Sequence, residues 1–222
     1  MIRSKGMKKL LKKEFGFTAL PLTYCFLLFS FMTMVPGYPI LVGAFFVCMG
    51  IFQTFLSARE QNDFLYTVLM PVSKADAVRA RYFFVACIQM IFFAVCVILT
   101  VVRMSLFSQS QAYLSNPMMN ANPMYLGCIL LIFVLFNRIF VNGFWKTAYD
   151  AGRPFVLFSI AAFILIGIAE TMHHFPGAEW MNTISQGLSF QYLFLICSAV
   201  IYLLAEYLCI SKSCSSIEMI DL

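Results

Sequence analysis

One stretch of the 222-residue sequence groups side chains that could hold a metal ion. Glu170 and His173 are three residues apart, so they would share one face of a helix, and His174 follows directly. Carboxylate and imidazole groups are ligands of metals such as Zn²⁺. A solvated helix end explains the same three residues more simply, because they follow a long apolar run. We therefore predict no metal site and no catalytic residues.

Sequence motifs of nucleotide hydrolysis and of common hydrolases are absent. None of the eleven glycines begins a G-x-x-x-x-G-K-[ST] loop, which would cradle phosphates. The G-x-S-x-G and H-E-x-x-H patterns are also missing. The chain is therefore not expected to be an enzyme by itself, and we expect no cofactor in it.

The densest charged stretch, SAREQNDFLYTVLMPVSKADAVRARY at 57–82, lies between two apolar runs. Ser57 and Ser73 each begin an S-x-x-[DE] capping box, a pattern of helix starts. Between the two boxes, apolar residues recur at helical spacing until Pro71 ends the run. These apolar residues are Phe64, Leu65, Val68 and Leu69. The pattern predicts a short amphipathic helix, a proline turn and a second helix, with a solvated connector as the alternative.

Composition indicates that the flanking elements lie in a membrane. The chain is 62% hydrophobic and 11% charged, whereas about a quarter of the residues of a soluble domain are charged. A membrane-spanning helix needs roughly 20 mostly apolar residues. Six apolar runs could serve as spans: 17–35, 39–56, 82–102, 124–142, 154–169 and 188–210. We predict a single all-α membrane domain over 1–222, with six transmembrane helices.

The distribution of Lys and Arg predicts the orientation. An even number of spans places both termini on one side of the membrane. If that side is the cytoplasm, Arg103 is the only one of the 15 basic residues outside, as the positive-inside rule requires. We therefore expect a multi-pass protein of the cell membrane with cytoplasmic N- and C-termini. The net charge of +5 then reflects topology and contact with anionic lipid, and no nucleic acid partner is expected.

Two terminal or loop segments are expected at the membrane surfaces. Residues 1–16 are predicted to form an amphipathic helix in the cytoplasmic interface, although a simple basic anchor is an alternative. Its lysines would lie near lipid headgroups: Lys8, Lys9, Lys12 and Lys13. On the outer side, 170–187 mixes apolar and polar residues, and Trp180 suits the interface. We predict that this outer segment dips into the membrane surface.

Two charged residues fall inside the inner ends of predicted spans. Arg138 is near the inner end of span four and Glu206 near that of span six. The similar depth predicts an ion pair, while snorkelling of each side chain to the interface is the alternative. The middles of the six spans lack ionisable residues, which normally carry ion-driven transport. Any transport must then be powered from outside this chain.

The order of residues from Glu60 to Tyr82 carries a family resemblance. Glu60 is followed after ten residues by P-V-S-K-A-D-x-V-x-A-R-Y. This order resembles the inner loop of small permeases in the type-2 class of ATP-binding-cassette (ABC) exporters. Among these, the permeases that export bacteriocin-like or phenol-soluble-modulin-like peptides are most similar. The six spans, the basic N-terminal helix and the outer dipping segment resemble that class as well.

The resemblance implies that 58–81 contains a coupling helix, which docks on a separate cytoplasmic ATPase subunit carrying ATP and Mg²⁺. That role would fall on Arg59, Glu60, Asp63, Phe64, Leu65, Val68 and Leu69. It also implies a homo- or heterodimer of six-span permeases that exports an amphipathic peptide or a hydrophobic small molecule. An integral membrane enzyme and a non-transporting scaffold are the alternatives. Co-purification with an ATPase would separate the permease from both.

Overall fold

A computed structural model describes residues 2–69, 72–147, 150–184 and 187–218, without the side chains of residues 2–5, 64 and 68. All regular structure in these ranges is helical, as predicted. The α-helices are α1 (Ile2–Lys13), α2 (Pro21–Cys25), α3 (Val42–Glu60), α4 (Asp63–Leu69), α5 (Lys74–Leu106), α6 (Gln111–Leu114), α7 (Pro123–Leu135), α8 (Asn142–Lys146), α9 (Gly152–Met172) and α10 (Leu188–Glu218). π-Helical turns occupy Glu14–Thr18 and Phe136–Val141, and 3₁₀ helices occupy Phe26–Met34 and Glu179–Met181.

Five helical segments of the described chain are long and apolar enough to cross a membrane. They are Val42–Glu60, Lys74–Leu106, Pro123–Lys146, Gly152–Met172 and Leu188–Glu218. These segments coincide with the second to sixth predicted spans, with shifted ends. The third joins α7 to α8 through the π-helical turn between them, so one continuous helical segment replaces the fourth predicted span.

The first predicted span, 17–35, has a different structure. After α1 and its π-helical turn, the chain bends by 86° into Pro21–Met34. Nine residues of that stretch, Phe26–Met34, form a 3₁₀ helix, which rises about 2.0 Å per residue, compared with about 1.5 Å in an α-helix. The stretch is therefore about 25 Å long, somewhat short of the roughly 30 Å hydrocarbon core. Among the described residues, five segments are therefore long and apolar enough to be spans, or six if the bent pair counts as one.

Small residues bring this first stretch into close contact with α3. A Cβ atom on Gly43 would lie 2.8 Å from the carbonyl oxygen of Phe29. The hydroxyl of Thr23 donates to the carbonyl oxygen of Gly50 at 2.7 Å and lies 2.7 Å from Thr54 Oγ1. Small and hydroxylated residues at helix interfaces allow such close backbone approach in membranes. The two segments therefore pack as a pair.

Gly43→Ala should lower the melting temperature in detergent, because the added methyl group meets backbone rather than a flexible side chain. Overpacking of this kind costs about 1–3 kcal/mol. Gly167→Ala is the matched control, since no atom lies within 4 Å of a Cβ built there. Alanine is also favoured over glycine in a helix by about 1 kcal/mol. Equal melting temperatures for the two variants would contradict the close approach.

Aromatic side chains pack the interior between α3, α9 and the π-helical turn Phe136–Val141. The rings of Phe52 and Phe155 stack with centroids 3.9 Å apart, and those of Phe136 and Phe158 meet edge to face at 5.0 Å. Aromatic pairs of this kind stabilise by about 0.5–1.5 kcal/mol beyond the burial of their area. This packing joins three elements that are distant in sequence.

Large apolar side chains remain exposed along α9 and α10. They are Val156, Leu157, Ile160, Phe163, Ile164, Ile168, Leu193, Ile196, Val200, Leu203, Leu204 and Tyr207. Apolar surface of this extent is rare on a soluble monomer. In a bilayer, the same side chains would contact lipid chains, which are equally apolar. The exposed faces therefore agree with a multi-pass membrane protein.

The charged segment contains one of the two predicted caps. Ser73 Oγ accepts a hydrogen bond from the backbone nitrogen of Asp76 at 3.0 Å, so α5 begins well before the third predicted span. Ser57 is not a cap, because it lies inside α3, and its hydroxyl accepts from Gln61 Nε2 at 3.0 Å. The chain turns from α3 into α4 at Asn62, whose φ is 51°, a left-handed value that asparagine tolerates.

Candidate functional site

The charged segment folds into a junction at one end of the helix bundle, where α1 ends, α4 lies and α5 begins. Four charged side chains meet there, and we call them the charge cluster: Lys13, Glu14, Asp63 and Arg81. Two are basic and two acidic, so their formal charges cancel. This balance allows the group to be buried, because buried charges require partners.

Arg81 binds both carboxylates of the charge cluster. Its Nε lies 2.5 Å from Glu14 Oε2, and its Nη2 donates to Asp63 Oδ2 at 2.8 Å. The guanidinium carbon is 5.3 Å from the ring centroid of Phe55, within the range of a cation–π contact. Only 4% of the Arg81 side chain and 3% of the Glu14 side chain are exposed. The planar fork of arginine suits this two-sided contact.

Lys13 completes the charge cluster from the end of α1. Its Nζ lies 2.7 Å from the carboxylate of Asp63 and 3.7 Å from Glu14 Oε1. It also donates to Thr67 Oγ1 at 2.5 Å. Thr67 lies one turn after Asp63 on α4 and is 1% exposed. These contacts fasten α4 to α1 and α5 at the same time.

The other side of α4 is apolar and exposed. Leu65, Tyr66 and Leu69 are 45%, 66% and 76% exposed, and we call them the exposed α4 face. Phe64 and Val68 were predicted on the same face, and their side chains lie outside the described residues. The helix therefore combines a fastened side with a side that is open to a partner.

Asp63 lies on a different side of α4 from the one that the sequence prediction gave it. It was grouped with Arg59 and Glu60 as a contact of an ATPase, but its carboxylate points into the charge cluster. Arg59 and Glu60, at the end of α3, are exposed. The partner Arg81 is 18 residues further along the chain, in another helix, so a local pattern could not reveal the contact.

The four lysines predicted at the membrane interface also divide into two groups. Lys8, Lys9 and Lys12 are exposed on α1, and contact of their ammonium groups with lipid stays a prediction. Lys13 is turned inward to the charge cluster. Leu10, on the same helix, is 3% exposed and packs against the protein.

A second polar group joins α5, the π-helical turn Phe136–Val141 and α10. The side-chain amides of Gln89 and Asn137 exchange two hydrogen bonds, of 3.0 and 3.1 Å. Asn137 Nδ2 also donates to Glu206 Oε2 at 2.7 Å, and the hydroxyl of Tyr202 donates to Gln89 Oε1 at 3.0 Å. We call these four residues the amide network. Gln89 and Asn137 are fully buried.

The predicted ion pair between Arg138 and Glu206 does not form in the part of the chain that the structure describes. Glu206 is bonded to Asn137 instead, and the Arg138 side chain is exposed. Successive residues of a helix point about 100° apart. Because Arg138 points in a different direction from Asn137, its side chain lies within reach of Cys209 of α10 rather than of Glu206.

Asn137→Ala and Glu206→Ala should therefore be non-additive in the free energy of unfolding. Residues in one hydrogen-bond network couple by about 0.5–3 kcal/mol. The control is the pair Arg138→Ala and Glu206→Ala, whose effects should add to within about 0.5 kcal/mol. Thermal unfolding of the single and double variants in detergent measures both cycles. Strong coupling in the arginine cycle, with none in the asparagine cycle, would contradict the amide network.

A comparison with protein families matches nearly the whole chain. The family model described as "ABC-2 family transporter protein" covers residues 8–218. The chain belongs to this family. No curated protein and no solved structure matches it significantly. The matched range includes the charge cluster, the exposed α4 face and the amide network.

Membership in the ABC-2 family fixes the general role of the chain. Its members are the multi-pass permease components of ABC transporters, and an ATP-binding cassette subunit is their general partner. The predicted class, a membrane permease of an ABC transporter, is confirmed at this level. The cargo, the direction of transport, the coupling to ATP hydrolysis and the dimerisation of the permease stay predictions.

Glu170, His173 and His174, the three possible metal ligands, lie at the end of this ABC-2 permease that is opposite the charge cluster. Glu170 Oε2 accepts a hydrogen bond from the backbone nitrogen of Met119 at 2.8 Å, and His173 Nε2 donates to the carbonyl oxygen of Pro117 at 3.2 Å. Burial lowers the pKa of His173, against the opposing effect of that hydrogen bond. No group of three metal-binding side chains occurs among the described residues. These side chains hold the loop after α6 against the end of α9.

The predicted outer segment 170–187 includes the end of α9, a turn and the 3₁₀ helix Glu179–Met181. Its residues 185 and 186 lie outside the described ranges. Asn122 Nδ2 donates to the carbonyl oxygen of Met181 at 2.8 Å, which ties the segment to the start of α7. Its depth in the membrane stays a prediction.

Proposed function

We propose that this ABC-2 permease exports an amphipathic peptide or a hydrophobic small molecule, using ATP hydrolysed with Mg²⁺ on a separate cassette subunit. The observation that supports the proposal is the construction of α4, with its apolar face exposed and its polar side bound to the charge cluster. In this proposal α4 is the coupling helix, and the exposed α4 face, together with Arg59 and Glu60, contacts the cassette subunit.

Motion of the cassette subunits would reach the spans through the charge cluster. Closure of two cassettes around ATP displaces α4. Because Asp63 bonds to both Lys13 and Arg81, the ends of α1 and α5 follow that displacement. The two-residue turn at Asn62 carries the same motion into α3. The permease would then alternate between two arrangements by movement of packed helices.

The nature of the surface within the membrane supports an apolar or amphipathic cargo. The exposed side chains of α9 and α10 are aliphatic and aromatic, and they are suited to acyl chains and to the apolar face of an amphipathic helix. A second permease, identical or different, would complete the translocation path against one of these faces. Two cassettes would then bind the two α4 helices of the dimer.

Reconstitution of the permease with its cassette subunit tests the proposal. Inside-out vesicles containing both subunits should accumulate a fluorescently labelled amphipathic helical peptide only when ATP and Mg²⁺ are supplied. A cassette whose phosphate-binding lysine is replaced by alanine is the control. Stable association of the subunits without movement of any peptide or hydrophobic dye would indicate a scaffold and contradict the export proposal.

The proposal places both termini in the cytoplasm, because that arrangement leaves Arg103 as the only outer basic residue of 15. In a background without cysteine, Gln111→Cys and Glu179→Cys should react with an impermeant thiol reagent in intact cells. Ser215→Cys should react only after the cells are opened. All three positions are exposed on the protein, so a reversed labelling pattern would contradict the topology.

A further inference from the structure

A second buried arginine of α5 lies at the other end of the spans. Arg103 is about 33 Å further along the helix than Arg81, at about 1.5 Å per residue, and it is 1% exposed. Its guanidinium donates to the carbonyl oxygen of Thr33 at 2.7 Å and to Asn120 Oδ1 at 3.0 Å. The guanidinium carbon lies 4.1 Å from the ring centroid of Tyr113.

Arg103 has no counter-ion within the described part of the protein. No acidic side chain in those ranges forms an ion pair with it. Its Nε atom is buried there without a hydrogen-bond partner. Because arginine stays protonated in proteins, a full positive charge is held at this position. Such a charge is normally neutralised by a carboxylate or by a bound anion.

Arg81 shows how the same helix treats a buried arginine elsewhere. Its side chain is 4% exposed and contacts the carboxylates of Glu14 and Asp63. At Arg103, in contrast, the contacts are a carbonyl oxygen, an amide oxygen and an aromatic ring. Within the described residues, Arg81 is neutralised by carboxylates of the protein itself, whereas Arg103 could still bind an anion from solution or from lipid.

A cavity of about 460 Å³ lies beside Arg103. Tyr113 and Asn120, two of the three groups that contact the guanidinium, form part of its wall. The wall also includes Ser108, Leu114, Asn182 and Ile184. The wall offers both hydroxyl or amide groups and aliphatic side chains, which suits a ligand that has a polar end and an apolar end.

We propose that this cavity binds a phosphate group as the counter-ion of Arg103, with a phospholipid headgroup as the favoured source and free phosphate as the other. Arg103 does not itself line the cavity, so its positive charge would attract the phosphate across neighbouring side chains rather than by direct contact. Only one layer of side chains, Tyr113 and Asn120, lies between the cavity and the positive charge, which is weakly screened in a buried site. The inference does not depend on ATP coupling or on the direction of transport.

The surroundings of the cavity favour the lipid as the source. The cavity lies near the end of α5; Leu114 lines it, and Leu106 ends that helix, with exposures of 59% and 75%. Acyl chains could follow these side chains into the bilayer while the headgroup stays in the cavity. Basic pockets between transmembrane helices are known to hold anionic headgroups. A bound phosphate would then link the end of α5, α6 and the residues that follow the 3₁₀ helix Glu179–Met181.

The proposal is tested by native mass spectrometry of the purified permease. Phosphatidylglycerol, phosphatidylcholine or inorganic phosphate is added to the sample. Wild-type protein should bind phosphatidylglycerol at least about tenfold more tightly than Arg103→Gln, as expected for loss of a weakly screened positive charge beside the cavity. Ile184→Trp, which places a larger side chain in the cavity wall and leaves the contacts of Arg103 in place, should show the same loss. Arg138→Gln removes an exposed arginine and should bind as wild type does.

The outcomes separate the two sources of phosphate. Binding of inorganic phosphate that requires Arg103, without retention of phosphatidylglycerol, would support the phosphate site and assign it to the free ion. Equal retention of phosphatidylglycerol by wild type and Ile184→Trp, with no phosphate binding, would overturn the proposal and leave Arg103 a purely structural residue. Since Ile184→Trp keeps the arginine, this decision holds even if Arg103→Gln fails to fold.

Discussion

Replacing Arg81 with methionine should lower the free energy of unfolding by about 3–5 kcal/mol, the usual cost of removing one partner from a buried ion pair. Methionine keeps an unbranched apolar side chain beside Phe55 but leaves the carboxylates of Glu14 and Asp63 with Lys13 alone. Both carboxylates are largely buried, with 3% and 17% of their side chains exposed. Thermal or denaturant unfolding of the purified permease in detergent measures the loss.

Arg79→Met is the matched control on the same helix. Arg79 forms an ion pair with Asp76 at 3.0 Å, but 42% of its side chain is exposed. Exposed pairs of this kind contribute about 0–1 kcal/mol, so this variant should be nearly as stable as wild type. If Arg79→Met and Arg81→Met lost the same stability, the charge cluster would be solvated and the prediction would fail.

Replacing the whole charge cluster gives a further check on the cause. The variant with Lys13→Met, Glu14→Leu, Asp63→Leu and Arg81→Met leaves no charge uncompensated. Buried ionic groups can often be exchanged for apolar ones at little cost. This variant should therefore be more stable than Arg81→Met alone. A lower stability would mean that specific hydrogen bonds of the cluster, rather than charge balance, hold α4 in place.

The long spans could be predicted from sequence because lipid imposes a simple requirement on length and polarity. The first span could not, because 17–35 is equally apolar whether it forms an α-helix or a 3₁₀ helix. Its geometry depends on close packing against α3 at Gly43 and on the hydrogen bonds of Thr23, which are tertiary contacts. The early start of α5 was indicated by the capping box at Ser73, a local interaction that sequence does reveal.

The candidate site was predicted only in part, for a related reason. The amphipathic pattern indicates that 63–69 is helical, but it does not determine which side faces the bundle. A polar side chain can face either the cytoplasm or a buried charged group, so the sequence alone led to the prediction that Asp63 faces a cytoplasmic ATPase. Its spacing of four residues from Thr67 was the available indication of a polar stripe on α4. Asn137 was missed because an amide within an apolar run carries no charge to draw attention.

Replacing both Leu65 and Leu69 with alanine should weaken binding of the cassette subunit by at least about 30-fold, or ~2 kcal/mol. A few apolar anchors carry most of the binding energy of an interface. Leu65 is 45% exposed and Leu69 is 76% exposed, and the two lie one turn apart on α4. Because they are exposed, the stability of the isolated permease should hardly change. Titration of purified cassette subunit against permease in nanodiscs measures the affinity.

Two further variants separate docking from transmission of movement. Leu28→Ala with Leu106→Ala removes two leucines away from α4 that are 65% and 75% exposed, and it should leave the affinity unchanged. Asp63→Asn keeps the exposed α4 face but weakens its link to the charge cluster. It should bind the cassette subunit and hydrolyse ATP while losing peptide transport. Wild-type affinity in the Leu65 and Leu69 double variant would show that the cassette docks elsewhere, and α4 would then be only a connector between α3 and α5.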